Sequence, residues 1–257
     1  MDSSTAVIKG GDRGGLDGFR GAAYVFALSG GLWFEQQKLT ADDSGVGDDF
    51  GGSLALSGDT LVVGAAFDDI GANLSQGSVY VFIRTGSTWT LQQKLLASDG
   101  AIFDDLGFDV AISGDTIIAG APGKTLPAIE EAGAAFVFSR AGTVWTQQQK
   151  LTASDAGEAD GFGAGVAISD VVIIGAPGHK VGSNDVEGAA YVFSVPPAFD
   201  FCMQDDSSGK LLRLNSKTGD YEFLDCRNGS RLSGKGSIAV NSCKTQLMDS
   251  GTDPETP

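Results

Sequence analysis

Three segments of this chain are versions of one another. Phe50-Gly51 to Ala66 reads FGGSLALSGDTLVVGAA, Leu106-Gly107 to Pro122 reads LGFDVAISGDTIIAGAP, and Phe162-Gly163 to Pro177 reads FGAGVAISDVVIIGAP. The sequence around them recurs as well. Tyr24, Tyr80, Phe136 and Tyr191 open the runs YVF, YVF, FVF and YVF at separations of 56, 56 and 55 residues. Trp33, Trp89 and Trp145 are 56 apart, as are Lys38, Lys94 and Lys150 of a Gln-Gln-Lys-Leu motif. So long and constant a period means stacked supersecondary units, each burying its face against the next.

Each period holds four runs of strand character, such as Leu106–Ser113, Thr116–Ala121, Ser78–Arg84 and Trp89–Leu95. They are six to eight residues long and rich in Val, Ile, Phe, Tyr and Trp. Ser-Gly-Asp-Thr separates the first two runs at 57–60 and at 113–116. A Gly-Asp connection predicts a type II′ hairpin, because Gly takes the positive φ at its first central position. Four short antiparallel strands per repeat are one blade of a β-propeller. The third copy reads Ile168-Ser169-Asp170-Val171 and is one residue short. A one-residue slip would turn every side chain to the opposite face. The expectation is therefore that the turn tightens and that Val172–Gly175 keep their register.

Glycine contributes 38 of 257 residues, about twice the usual ~7%, as many tight turns require. The net charge is −16. Residues 1–198 carry 10 basic and 24 acidic side chains, so the acid sits with the repeats. That balance opposes nucleic acid and anionic membrane surfaces, which need a basic face. No run approaches the ~18 apolar residues of a membrane-spanning helix. Met1-Asp2-Ser3-Ser4 lacks the basic start and apolar run of a signal peptide.

The motif FG…GAP, followed by G-x-[AV]-[YF]-V-F, resembles the FG-GAP repeat, the blade unit of integrin α-subunit propellers and of many bacterial surface proteins. The bacterial form is the more similar, down to W-T-x-Q-Q-K-L-T-A-S-D. The resemblance covers about residues 10–195. It implies an all-β fold: a partial β-propeller of four-stranded antiparallel blades over 1–195, at the cell surface or secreted. Two features depart from it. Integrin-type blades carry a D-x-D-x-D-G calcium loop between their first two strands. Here that connection is Gly58-Asp59, Gly114-Asp115 or Ser169-Asp170, too short to supply the six to eight oxygens calcium takes. Ala66 also stands where the family has Pro. The runs add up to sets of two, four, four and three strands, thirteen in all. Propellers close with four to eight blades. The chain is then either a fragment of a longer one, as its start in mid-repeat suggests, or a unit whose copies associate to complete a ring.

Pro196-Pro197 mark a linker over 196–198, followed by a small β module over 199–257. Its runs are Lys210–Asn215, Tyr221–Leu224, Ile238–Val240 and Thr245–Met248. The three cysteines fall here, at 202, 226 and 243. One disulfide with a thiol left over, or three reduced thiols, satisfies the count. Cys202–Cys226 is the first candidate pair.

The acidic loops before each FG pair are the candidate functional site. Asp43, Asp99 and Asp155 are equivalent, as are Asp48, Asp104 and Asp160, and Asp49 and Asp105 extend two of the loops. Two carboxylates per loop could hold a hard cation such as calcium or a basic partner; Asx turns and loop solvation are the plainer account of them. The three Trp read as inter-blade packing. His179, with no second His, makes a poor general base. No cofactor is implied and no catalytic group stands out. The functional expectation is a non-enzymatic extracellular module whose rim loops meet a protein or glycan. The alternative is an accessory propeller of a secreted hydrolase with its catalytic domain outside this chain.

Overall fold

The structure, a computed structural model, describes residues 4–10, 20–182 and 187–194 in full and, beyond them, the backbone of the strands in 201–245. The chain divides into two compact units, Met1–Val195 and Pro196–Pro257. The described residues contain strands and turns and no helix.

The first unit is a partial β-propeller of antiparallel blades. Blade I is β1 (Thr5–Gly10), β2 (Ala22–Ser29) and β3 (Leu32–Leu39). Blade II is β4 (Leu54–Ser57), β5 (Thr60–Ala65), β6 (Ser78–Thr85) and β7 (Thr88–Leu95). Blade III is β8 (Val110–Ser113), β9 (Thr116–Ala121), β10 (Ala134–Ala141) and β11 (Val144–Leu151). Blade IV is β12 (Gly165–Ile168), β13 (Val171–Ala176) and β14 (Ala189–Ser194). The short strands β4, β8 and β12 lie next to one another from blade to blade. The strand count of thirteen is corrected to fourteen, because β1 is a strand. Its sequence Thr5-Ala6-Val7-Ile8 corresponds to Thr60-Leu61-Val62-Val63, but Lys9 and Gly10 replace the Gly-Ala that marks the motif. The Nζ of Lys9 reaches Asp49 at 3.1 Å.

The hairpins turn as their residues dictate. Gly58 and Gly114 have φ of 57° and 56°, while Asp59 and Asp115 stay at negative φ, the type II′ pattern. In the shortened third hairpin Val166 pairs with Ile174 and Ile168 with Val172. These are the partners that Val110–Ala119 and Ile112–Ile117 make in blade III. The deletion is absorbed in the turn, where the Ser169 N–H donates to the Val171 carbonyl at 3.0 Å.

Strands β5 and β9 are buried throughout, because blades II and III are covered on both faces. Leu61, Val63, Tyr80, Phe82 and Trp89 face blade I with Val25 and Phe50. Val62, Val79 and Val81 face blade III with Ile117, Phe136, Phe138 and Trp145. Ile118 and Val137 face blade IV with Phe162, Val172 and Ile174.

Backbone contact between blades sets the spacing. A Cβ at Gly64 would stand 2.0 Å from the Gly107 carbonyl oxygen, and one at Gly120 would stand 1.9 Å from that of Gly163. Only glycine admits that approach. Parallel bridges Gly21–Phe50, Gly77–Leu106 and Gly133–Phe162 run alongside. The outer strands are clamped by side chains. The Gln37 amide exchanges two hydrogen bonds with the backbone of Trp89, at 2.8 and 2.7 Å, and the indole N–H donates to Gln36 at 3.1 Å. Gln93, Gln92 and Trp145 repeat this at 2.8, 2.8 and 2.9 Å. The QQKL motif is thus the socket for the next blade's Trp.

The second unit contains a four-stranded antiparallel sheet in the order β15 (Phe201–Asp205), β16 (Lys210–Leu214), β17 (Asp220–Asp225), β18 (Ser230–Lys235). A two-residue pair, β19 (Val240–Asn241) with β20 (Lys244–Thr245), follows. Cys202 is in β15; Cys226 and the pairing with it lie outside the described residues.

Gly120→Ala should lower unfolding stability by about 2–3 kcal/mol, since the added methyl forces blades III and IV apart. Gly175→Ala, at the equivalent place in blade IV, should be close to neutral, because its Cβ would meet nothing nearer than 3.8 Å. Urea denaturation of the two variants measures the difference.

Candidate functional site

Each approach loop leaves the outer strand of one blade and ends at the FG pair of the next. The later Asp of each loop, Asp48, Asp104 or Asp160, is buried, at 4%, 2% and 1% exposure. Its carboxylate turns back on the loop and accepts the N–H three residues earlier: Gly45 at 2.5 Å, Ala101 at 2.7 Å and Gly157 at 2.6 Å. Asp49 and Asp105 hold the left-handed position before FG, at φ of 56° and 60°. Gly161 takes that position in the third loop, at 64°. These two residues shape the turn.

The earlier Asp of each loop meets a cation or a hydroxyl from the chain. Asp43 lies 2.7 Å from Lys94 and 2.9 Å from the Tyr80 hydroxyl. Asp99 lies 2.7 Å from Lys150. Asp155 accepts from the Tyr191 hydroxyl at 2.7 Å and faces the His179 ring at 3.6 Å. Burial works against ionisation of Asp43 and Asp99, but their lysines outweigh it and hold both carboxyls below the usual range. The Tyr191 hydrogen bond does the same for Asp155.

Sequence reasoning missed a third position, four residues after the motif Gly64, Gly120 or Gly175. It holds Asp68, Lys124 and His179. Lys124 reaches Asp104 at 2.8 Å and the Asp99 carbonyl at 2.5 Å. His179 lies 2.9 Å from Asp160 through Nδ1. Asp68 has the opposite charge, and Lys94 swings to it at 2.7 Å while keeping Asp43. Ser78 also donates to Asp68. The alignment displays the position, but its three residue types share no chemistry until the fold supplies their partners. The first loop consequently crowds carboxylates. Burial, joined by Asp68 and Asp69, pushes Asp48 up against the Gly45 N–H that favours its charge. Burial, with Asp104 and Glu131 nearby, pushes Asp105 up to about 6. The Asp160 carboxylate raises His179 above its ordinary value, against the effect of burial and with help from Asp155.

The eight candidate carboxylates therefore divide into turn formers and partners of the chain's own Lys, His and Tyr. Among the described residues no group of three or more His, Cys, Asp or Glu is arranged to hold a metal ion. The hairpin Asp59 and Asp115 are also engaged. Arg84 bonds Asp59 at 2.6 Å, reaches Thr5 of blade I at 2.9 Å and lies 5.5 Å from the Trp89 ring. Arg140 does the same with Asp115 and Thr60, at 2.9 and 3.2 Å, and lies 5.0 Å from Trp145.

The His179 contribution is full below the ordinary His value of about 6.5 and is lost as pH rises through its raised folded value. Asp105 acts in the same sense at lower pH: its contribution is present below about 4 and is lost as pH rises through about 6. Thermal melts should therefore show stability falling from about pH 4 to about 6 and again as pH rises past the ordinary His value, and His179→Lys, which installs the residue of blade III, should flatten the second fall. Lys94→Met, which strands Asp68 and Asp43, should cost roughly 3 kcal/mol. Calcium on the order of millimolar should leave the melting midpoint unchanged, because Asp43, Asp99 and Asp155 already face Lys, Tyr or His and Asp48, Asp104 and Asp160 bond their own loops.

A family model described as the FG-GAP repeat matches residues 33–82, 89–138 and 145–193. No curated protein matches the chain. Among solved structures it is similar to a protein from Lactobacillus plantarum, with 13% identity, 94% of this chain and 69% of that one covered, and a TM-score of 0.39. It is similar to a putative 6-phosphogluconolactonase from Bacteroides fragilis, at 11% identity, 93% and 69% coverage and a TM-score of 0.40. A third is the periplasmic gluconolactonase of Pseudomonas aeruginosa, at 13% identity, 90% and 82% coverage and a TM-score of 0.36. Two of the three bear the names of enzymes, which runs against the expectation of a non-enzymatic module. At such identities and scores the likeness is one of fold and assigns this chain no reaction.

Proposed function

From the premise that this chain belongs to the FG-GAP repeat family, we propose that its bladed unit is an assembly scaffold that stacks head to tail with a second copy of itself. The trailing face of blade IV meets the leading face of blade I. One observation carries this reading: the two end faces expose the positions that are sealed at the interfaces inside the chain.

On the leading face Trp33 is 49% exposed, whereas Trp89 and Trp145 are each at 2%. Ile8 is exposed and its equivalents Val63, Ala119 and Ile174 are buried. On the trailing face Ile173 is 43% exposed, against 0% for Val62 and Ile118. Val192 is 67% exposed, against 0% for Val81 and 2% for Val137. The end faces are thus the two halves of an interface the chain builds repeatedly within itself. Uncovered apolar sheet faces of this kind invite pairing.

Sedimentation velocity over a concentration series should show reversible association. Trp33→Ser and Val192→Asp should each weaken it about tenfold or more, equivalent to at least ~1.4 kcal/mol of contact. Both should leave the melting midpoint of the dilute chain unaltered, because neither side chain is buried in it. A monomer throughout the series, up to about 100 μM, would remove the proposal, since contacts weaker than that fall below even modest specific association.

A further inference from the structure

Four large apolar side chains stand in water at one rim, where the loops of blades II and III meet. Phe103 is 57% exposed, and Leu74, Ile102 and Phe108 are half-exposed. Main-chain hydrogen bonds gather them. The Phe103 N–H donates to the Leu74 carbonyl at 2.9 Å, the Asp105 N–H to the Ser75 carbonyl at 3.1 Å and the Phe108 N–H to the Asp105 carbonyl at 3.1 Å. The segments that flank this junction, 66–77, 96–108 and 122–133, are all described. The patch therefore lies in the middle of the bladed unit, between two complete blades.

The blades do not need these side chains. The junction of blades III and IV makes the same main-chain bonds, from Ala159 to Glu130 at 3.1 Å, from Gly161 to Glu131 at 3.2 Å and from Ala164 to Gly161 at 3.0 Å. There the equivalents of Leu74, Ile102, Phe103 and Phe108 are Glu130, Glu158, Ala159 and Ala164. Blade II has Gly47 and Gly52 at the positions of Phe103 and Phe108. Phe103 also holds a left-handed backbone, at φ of 61°, where Gly47 has 98°. That conformation disfavours a bulky residue, and strain of this kind gathers at functional sites. The chain thus keeps an aromatic ring in water at a position where glycine would serve the fold without steric cost.

The charge around the patch is negative. Asp69 accepts from the Ser75 N–H at 2.8 Å, beside Leu74. Asp105 falls between Phe103 and Phe108 in the chain, and Glu131 is near enough to it to disfavour its charge. The lysines of these blades, Lys94, Lys124 and Lys150, are engaged by Asp43, Asp68, Asp99 and Asp104. Among the described residues no Lys, Arg or His pairs with Asp69, Asp105 or Glu131. We propose that this rim is a docking surface for a partner protein that presents a basic segment carrying large apolar side chains. The apolar anchors cover Phe103, Leu74, Ile102 and Phe108, and the flanking Lys or Arg meet Asp69, Asp105 and Glu131. The surface is separate from the end faces of blades I and IV, so it stands independently of head-to-tail stacking.

The probe is a fluorescent peptide in which Leu and Phe are flanked by Lys on both sides. It is titrated into the whole chain at about pH 7.5, where Asp105 is ionised, and followed by anisotropy. It should bind saturably, and counterparts with Glu for Lys, or with Ser for Leu and Phe, should not. Phe103→Gly should weaken binding about tenfold or more. Its melting midpoint should hold or rise, because glycine takes that φ freely. Asp105→Asn should weaken binding about threefold and lessen its salt dependence. Glu158→Gln, at the next junction, should leave binding unchanged. Equal binding by wild type and Phe103→Gly, or no binding at all, overturns the proposal. A lowered melting midpoint in Phe103→Gly overturns it too, since the ring would then serve the fold. So does an equal loss in Glu158→Gln and Asp105→Asn, which marks diffuse attraction to an acidic surface.

Discussion

Everything in the bladed unit depends on a main-chain contact that tolerates no side chain. Gly64 and Gly120 let the carbonyl of the next blade's motif glycine come within a distance that a methyl group would occupy. Once the inner ends are that close, the faces between them must be filled by interdigitating side chains at native density. Val62, Val79 and Val81 against Ile117, Phe136 and Trp145 do this at the central interface. The outer ends are then held by the Gln–Trp clamps and by Arg84 and Arg140, each of which spans two blades. The order of cause runs from the glycine outward.

The recurrent carboxylates of the approach loops find their partners locally. Asp43, Asp99 and Asp155 recur at one position, but the group that answers them changes from blade to blade: Lys94, then Lys150 with Lys124, then Tyr191 with His179. Because the partners lie 24 to 51 residues away in sequence, each loop is tied to the blade it introduces. An ion pair at the surface contributes little; one whose carboxylate is nearly buried, as with Lys124 and Asp104, contributes mainly by not being broken. Blade IV substitutes an imidazole for an ammonium, so among the described loops its loop alone carries a titratable cation near neutral pH.

The candidate site was legible in part. The spacing of Asp43 and Asp48 and of their copies was visible, because repeats align themselves. What those residues do was not. Asp49 and Asp105 look like extra ligands until their positive φ shows them to be turn residues, for which Gly161 is the explicit version. Asp68, Lys124 and His179 look unrelated until one position in the fold places all three beside the same loop. Strand β1 was hidden for a similar reason: with Lys9-Gly10 in place of Gly-Ala, the motif that announces the strand is absent while the Thr-x-Val-x pattern that forms it remains.

The sequence by itself determined the blade: its four strands, its II′ turns, its period and the register that survives a deletion at Ser169-Asp170. These follow from local rules, the alternation of side chains along a strand and the conformational reach of glycine, and local rules can be read from neighbours in the chain. The tertiary structure alone decided which carboxylates are neutralised and by what, why Gln-Gln precedes Lys in every outer strand, and which of three identical Trp is exposed. Those outcomes depend on what the next blade places opposite a residue, and in blades I and IV they depend on the face that none of the other described blades covers.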